Sequence, residues 1–166
     1  MNNFRTLSGA LIVLAFIFTG CKKSNDDSAT LVPPASGYNN VKFTSIAATS
    51  IPMTKPNGGA WQTNGGPNVY FEIKDANDVV LYRGGTINNV TTANLPLSWN
   101  FTNAFQVTTL NTEYKFIFYN KNAVGADDQM DGYIIKMNDY KTGNPATVTL
   151  SNASSKLVVK LSATWY

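Results

Sequence analysis

The sequence predicts an all-β fold, an eight-stranded antiparallel β-sandwich over residues 40–166. Apolar residues recur there with a period of two, most clearly at Val69, Phe71 and Ile73, which alternate with Tyr70, Glu72 and Lys74. Turn chemistry built from Gly, Asn, Asp and Pro interrupts these runs at short, regular intervals. No window of a dozen residues carries a capped amphipathic helical stripe, and the abundance of Thr, Asn, Val, Tyr and Phe favours pleated structure.

Taken in chain order, 41–44 alternates and opens the domain. The run 69–74 is followed by Asp75-Ala76-Asn77-Asp78, a turn that closes a hairpin with 79–83. Further strands fit 97–101, 113–119, 132–137, 146–150 and 156–165. Val69, Phe71, Ile73, Phe116, Phe118, Ile135 and Val159 are the expected inward set. A small outer-membrane barrel ending in Trp165-Tyr166 is the rival architecture, but its strands need about 9 to 11 alternating residues and most runs here have five or six. No internal repeat is found.

The first 39 residues read differently. Arg5 supplies a positive start, an apolar run of about a dozen residues follows to Phe18, and that run is too short to span roughly 30 Å of hydrocarbon. Phe18-Thr19-Gly20-Cys21 then places the only cysteine behind two small residues. This string resembles the bacterial lipobox, which implies a signal peptide over 1–20, cleavage before Cys21 and acylation of its thiol with palmitate-class chains. Two or three chains are needed for stable membrane anchoring. Residues 21–39 read as a lipidated, polar tether containing Pro33-Pro34. Asp26-Asp27 resembles the acidic export signal of Bacteroidetes-type surface lipoproteins; a solvated linker pair is the alternative. The expected location is the outer membrane, on either face.

Charge and composition exclude several classes. Without Arg5 the mature chain carries twelve Lys and Arg against ten Asp and Glu, which is no footprint for nucleic acid. The chain has no histidine, and with Cys21 acylated it has no thiol for a disulfide or a metal. The commonest general base is therefore missing. A hydrolase built on paired carboxylates such as Glu72 and Asp78 has the least support, and the chain reads as a non-enzyme.

Two loops remain as places for chemistry. The first, 51–68, holds Pro52, Pro56, four glycines and Trp61; the second, 120–131, holds Asp127, Asp128 and Asp131. Three carboxylates within five residues repel one another, and either solvation or a hard cation such as calcium relieves that. Trp99 and Trp165 are expected in the core, while Trp61 is open to a sugar or a lipid interface.

Three motifs in these loops resemble the calcium- and phospholipid-binding C2 domain. They are Gly66-Pro67-Asn68-Val69-Tyr70 for the family's Asp-Pro-Tyr-Val, Asn120-Lys121-Asn122 for its Asp-x-Asp, and Asp128 shortly before Gly132 for its Asp-x-x-Gly. The resemblance covers 40–166 and implies a calcium site at Asn68, Asn120, Asn122 and Asp128. Only Asp128 keeps a charge, and one residue is inserted between it and Gly132. The resemblance therefore implies a weak or degenerate site, in the range of about 10⁻⁴ to 10⁻³ M, to which Asp127, Asp131 and Gln62 could add ligands. The functional expectation is a lipid-anchored, non-catalytic module that contacts a protein or glycan ligand through its loop end. The alternative is a structural accessory subunit of an outer-membrane complex.

Overall fold

The computed structural model describes residues 37–166, so the leader, Cys21, most of the tether and Asp26-Asp27 lie outside the described residues. Eight strands are present: β1 (Val41–Ser50), β2 (Val69–Lys74), β3 (Val80–Arg83), β4 (Leu97–Val107), β5 (Glu113–Asn120), β6 (Asp128–Lys136), β7 (Thr147–Leu150) and β8 (Val158–Trp165). They form two four-stranded sheets in the orders β4-β1-β8-β7 and β3-β2-β5-β6, with every pairing antiparallel. Each sheet keeps two open edges, as a sandwich does and a closed barrel does not. Two short 3-10 turns, Thr92–Asn94 and Met137–Tyr140, are the helical segments among the described residues.

All seven residues of the expected inward set are buried between the sheets. Phe71 lies at the centre of an aromatic cluster, with ring centroids 5.2 Å from Trp99, 5.7 Å from Phe118, 5.8 Å from Tyr82 and 6.2 Å from Phe101. Edge-to-face contacts such as Phe43 on Phe116, at 6.4 Å, join the two sheets elsewhere in the core.

Several strands are longer than their alternation suggests, and irregular pairing is the cause. In β1 the pairing register shifts between Phe43 and Ser45, so Val41 and Phe43 point inward and, one residue out of phase, so do Ile46 and Ala48. The alternation breaks at Thr44 while the strand continues to Ser50. In β6, Phe118 pairs with Asp131 and Tyr119 with Gln129, which leaves Met130 as one extra residue. Met130 and Tyr133 are consequently both buried. The residue inserted between Asp128 and Gly132 is thus taken up as a β-bulge, and Asp128 begins a strand instead of sitting in a loop.

Strand directions collect four connections at one end of the sandwich: 51–68, 84–96, 121–127 and 151–157. The other end receives the chain, where Asn40 and Tyr166 exchange two backbone hydrogen bonds of 3.1 Å. The loop end therefore lies opposite the point at which residue 40 joins the domain.

Candidate functional site

The loop end is organised around Asn120, the last residue of β5, which is fully buried. A buried primary amide has two donors and a carbonyl oxygen with two lone pairs, and all four need partners. Asn120 finds all of them. Its Oδ1 accepts from Gln62 Nε2 at 2.8 Å and from the Asn68 backbone N–H at 3.0 Å. Its Nδ2 donates to Asn122 Oδ1 at 2.8 Å and to the Trp61 carbonyl at 3.4 Å.

The web extends outward from there. Asn68 Oδ1 accepts the Asn89 N–H at 3.0 Å, which ties the 84–96 connection to the site. Asn122 Nδ2 donates to the Ala126 carbonyl at 2.6 Å and the Asn122 N–H to Asp127 Oδ1 at 2.9 Å, closing the 121–127 loop on itself. Gly66 lets the first loop pass directly against the 84–96 connection, because a Cβ there would overlap the Val90 carbonyl oxygen.

The four positions that carry the C2 resemblance are brought together: Asn68 and Asn122 each bond to Asn120, and Asp128 pairs with Asn120 across the β5–β6 ladder. The three carboxylates nevertheless diverge. Asp127 Oδ2 accepts from the Tyr70 hydroxyl at 2.9 Å, Asp131 Oδ2 from Ser155 Oγ at 2.6 Å, and Asp128 Oδ2 lies 3.1 Å from Lys55 Nζ. That oxygen is itself shut off from solvent and accepts no hydrogen bond of good geometry, so its contact with Lys55 is an ion pair, although the side chain as a whole is partly exposed. The Lys55 ammonium, helped by Asn122, holds the Asp128 carboxyl below its ordinary range. Among the described residues no three His, Cys, Asp or Glu side chains gather to hold a metal ion.

Lys55 carries no sequence signal, because nothing in 51–68 reveals where that loop folds back. Trp61 also differs from expectation. It is buried, donates through Nε1 to the Pro52 carbonyl at 2.8 Å, and has the Lys55 ammonium 5.7 Å from its ring centroid. It is part of the loop's own core and offers no free platform. Trp99 and Trp165 are buried as expected, with Nε1 donating to Gly85 and Pro145 carbonyls.

An open cleft of about 340 Å³ lies beside the web, lined by residues that include Pro52, Lys55, Met130, Asp131, Ser154 and Lys156. Its size falls at the low end of small-ligand sites, and its walls mix apolar surface with both signs of charge.

Glu72 and Asp78 are not a pair. Asp78 sits at the β2–β3 turn and accepts from Lys115 Nζ at 2.7 Å. Glu72 is buried on the outer face of β2, where Oε1 accepts from Arg83 through Nε at 2.7 Å and through Nη2, and Oε2 lies 3.0 Å from Lys74 Nζ. Burial alone would raise the Glu72 pKa, but the hydrogen bonds from Lys74 and Arg83 outweigh it and hold the carboxyl below its usual range. A depressed carboxylate stabilises the fold above its unfolded pKa and loses that contribution as pH falls through the folded value. Glu72→Gln should therefore cost about 1–3 kcal/mol at pH 7 and much less near pH 3. Melting temperatures of both proteins at the two pH values check this, and a deficit equal at both would contradict it.

No family model matches the chain, and no curated protein matches it. Solved structures do. The chain is similar to a C2 domain solved by itself, at 10% identity and a TM-score of 0.51, over 76% of this chain and 96% of that one. The described domain has the fold of a C2 domain. The calcium-bound tandem C2 domains of extended synaptotagmin 2 align at 15% identity and a TM-score of 0.51. Human GIVD cytosolic phospholipase A2 aligns at 11% identity and a TM-score of 0.53. Each of these two comparisons covers 76% of this chain, which spans 44% of the synaptotagmin chain and 16% of the phospholipase chain. Identities this low establish the C2 fold alone, so the ligands of those proteins do not transfer with it.

Proposed function

We propose that this chain is a lipid-anchored, non-catalytic lipoprotein of the outer membrane whose C2-fold sandwich is a binding module. The loop end is its contact surface, for a protein or a glycan. The observation that carries this reading is the loop end itself: a cleft beside the web in which Asn120 is fully hydrogen-bonded, opposite the point where the tether joins at Asn40. A preordered surface binds without the cost of ordering loops. The lipobox-like string ending in Cys21 favours the anchor, and the absence of histidine from the whole chain favours a non-catalytic role.

A second reading is favoured by a separate feature. Edge strand β3 and the residue before it expose three consecutive apolar residues, Val79, Val80 and Leu81, at an open sheet edge suited to packing in an envelope complex. Pull-down from detergent extracts separates the two: a stoichiometric protein partner released by Leu81→Lys favours the accessory subunit, and a glycan or protein retained by that variant favours the loop end.

The anchor has its own test. Cys21→Ala should leave an unprocessed or a soluble form, because both cleavage and lipid attachment require the thiol. Intact mass of the native protein should show residues 1–20 missing and acyl chains on Cys21. A native protein that retains Met1 with a free thiol would overturn the assignment.

A further inference from the structure

Calcium takes six to eight oxygen ligands, most of them with lone pairs free and several of them charged. The oxygens at the four C2-type positions do not meet that description. Asn120 Oδ1 already receives two N–H groups, Asn122 Oδ1 receives one from Asn120, and Asn68 Oδ1 receives the Asn89 N–H. The single carboxylate, Asp128, faces an ammonium at 3.1 Å. A divalent cation placed here could take the central Asn120 Oδ1 only by breaking the amide web, and it would meet a like charge from Lys55. The donor set does not fit calcium.

We propose that Lys55 is the resident cation of this loop end: its ammonium, seated against Asp128 and beside Trp61, together with the amide web around Asn120, assembles the surface without a metal. Two contacts fix the ammonium's place. It pairs with Asp128, which lies opposite Asn120 in the β5–β6 ladder, and it lies 5.7 Å from the Trp61 ring centroid; the Trp61 carbonyl in turn accepts from Asn120 Nδ2, which ties both contacts to the amide web. Lys55 thereby joins the long first loop to the start of β6, the junction that a bridging metal would otherwise make. The 51–60 segment is held further by Lys55 N–H to the Gly59 carbonyl at 2.8 Å, so the lysine projects from a turn that is itself closed. Binding at this end is then constitutive instead of calcium-gated. The inference stands apart from the anchor and from the identity of the ligand.

The test uses the full chain in detergent, observed by nuclear magnetic resonance. Calcium chloride added to about 5 mM, above the range of weak extracellular sites, should produce no saturable movement of the backbone amide signals of Asn68, Asn120, Asn122 and Asp128. The Asp128 carboxyl should titrate at higher pH in Lys55→Met than in the wild type, and Lys55→Arg should keep the wild-type behaviour because the charge is retained. Saturable calcium shifts at these residues in the wild type would overturn the proposal, and so would an Asp128 titration unchanged in Lys55→Met. Should Lys55→Met fail to fold, the wild-type calcium titration still decides the matter.

Discussion

Phe71→Asp should unfold the domain. Phe71 is fully buried in β2, its ring packs against four other aromatic rings, and it occupies the space that a side chain on Gly84 would need. Truncating such a phenylalanine costs about 3–5 kcal/mol in lost burial and cavity formation. A carboxylate at the same place adds the penalty of an unpaired buried charge, several kcal/mol more. A domain of this size has roughly 5–15 kcal/mol in total, so the sum removes most or all of it. Far-ultraviolet circular dichroism with thermal melting reads the outcome. Phe71→Leu, which keeps the site apolar, should still melt cooperatively a few degrees lower. A cooperative Phe71→Asp melt near the wild-type temperature would mean that the wrong face of β2 had been placed inside.

The inward face of β2 was legible because nothing interrupts its alternation. The same rule stopped short in β1 and β6, where an extra residue shifts the phase and a strand reads as if it had ended. Register irregularities arise from pairing with distant strands, and Phe43/Ser45 and Met130 carry no local mark of them. The outer face of β2 hid for a related reason. Tyr70 stacks on Tyr119 with centroids 5.1 Å apart, and Arg83 and Lys74 each lie over one of these rings, so Tyr70 and Glu72 are buried on a face that alternation assigns to solvent.

The site was legible in part. Asn68, Asn120, Asn122 and Asp128 could be named from motif spacing, and they do converge. Their chemistry could not be named, because it depends on which groups complete the shell. Gln62, expected as an added ligand, instead donates to Asn120, and Lys55 reaches Asp128 from the same long 51–68 connection, which has no helix or strand of its own and whose path sequence spacing does not define. An asparagine that has merely lost a charge and an asparagine that serves as the hub of four hydrogen bonds are the same letter.

That hub is the centre of the account, and Asn120→Asp tests it most directly. The change keeps size and shape but turns the Nδ2 donor group into an oxygen, which would face two acceptors, Asn122 Oδ1 and the Trp61 carbonyl. Two hydrogen bonds are lost and a charge is buried, a cost of about 3 kcal/mol, or roughly 10 °C in melting temperature for a domain of this size. Burial raises the folded pKa of the new carboxyl above its unfolded value near about 4, so the deficit should be small below about pH 4 and should widen as pH rises through the folded value. The measurement is the melting temperature of wild type and Asn120→Asp, in chelator, at about pH 4 and about pH 7.5, on either side of that titration. The account predicts a large deficit at the higher pH that shrinks at the lower. Equal stability of the two proteins at the higher pH would contradict it, because a carboxylate would then be as welcome at this position as the amide.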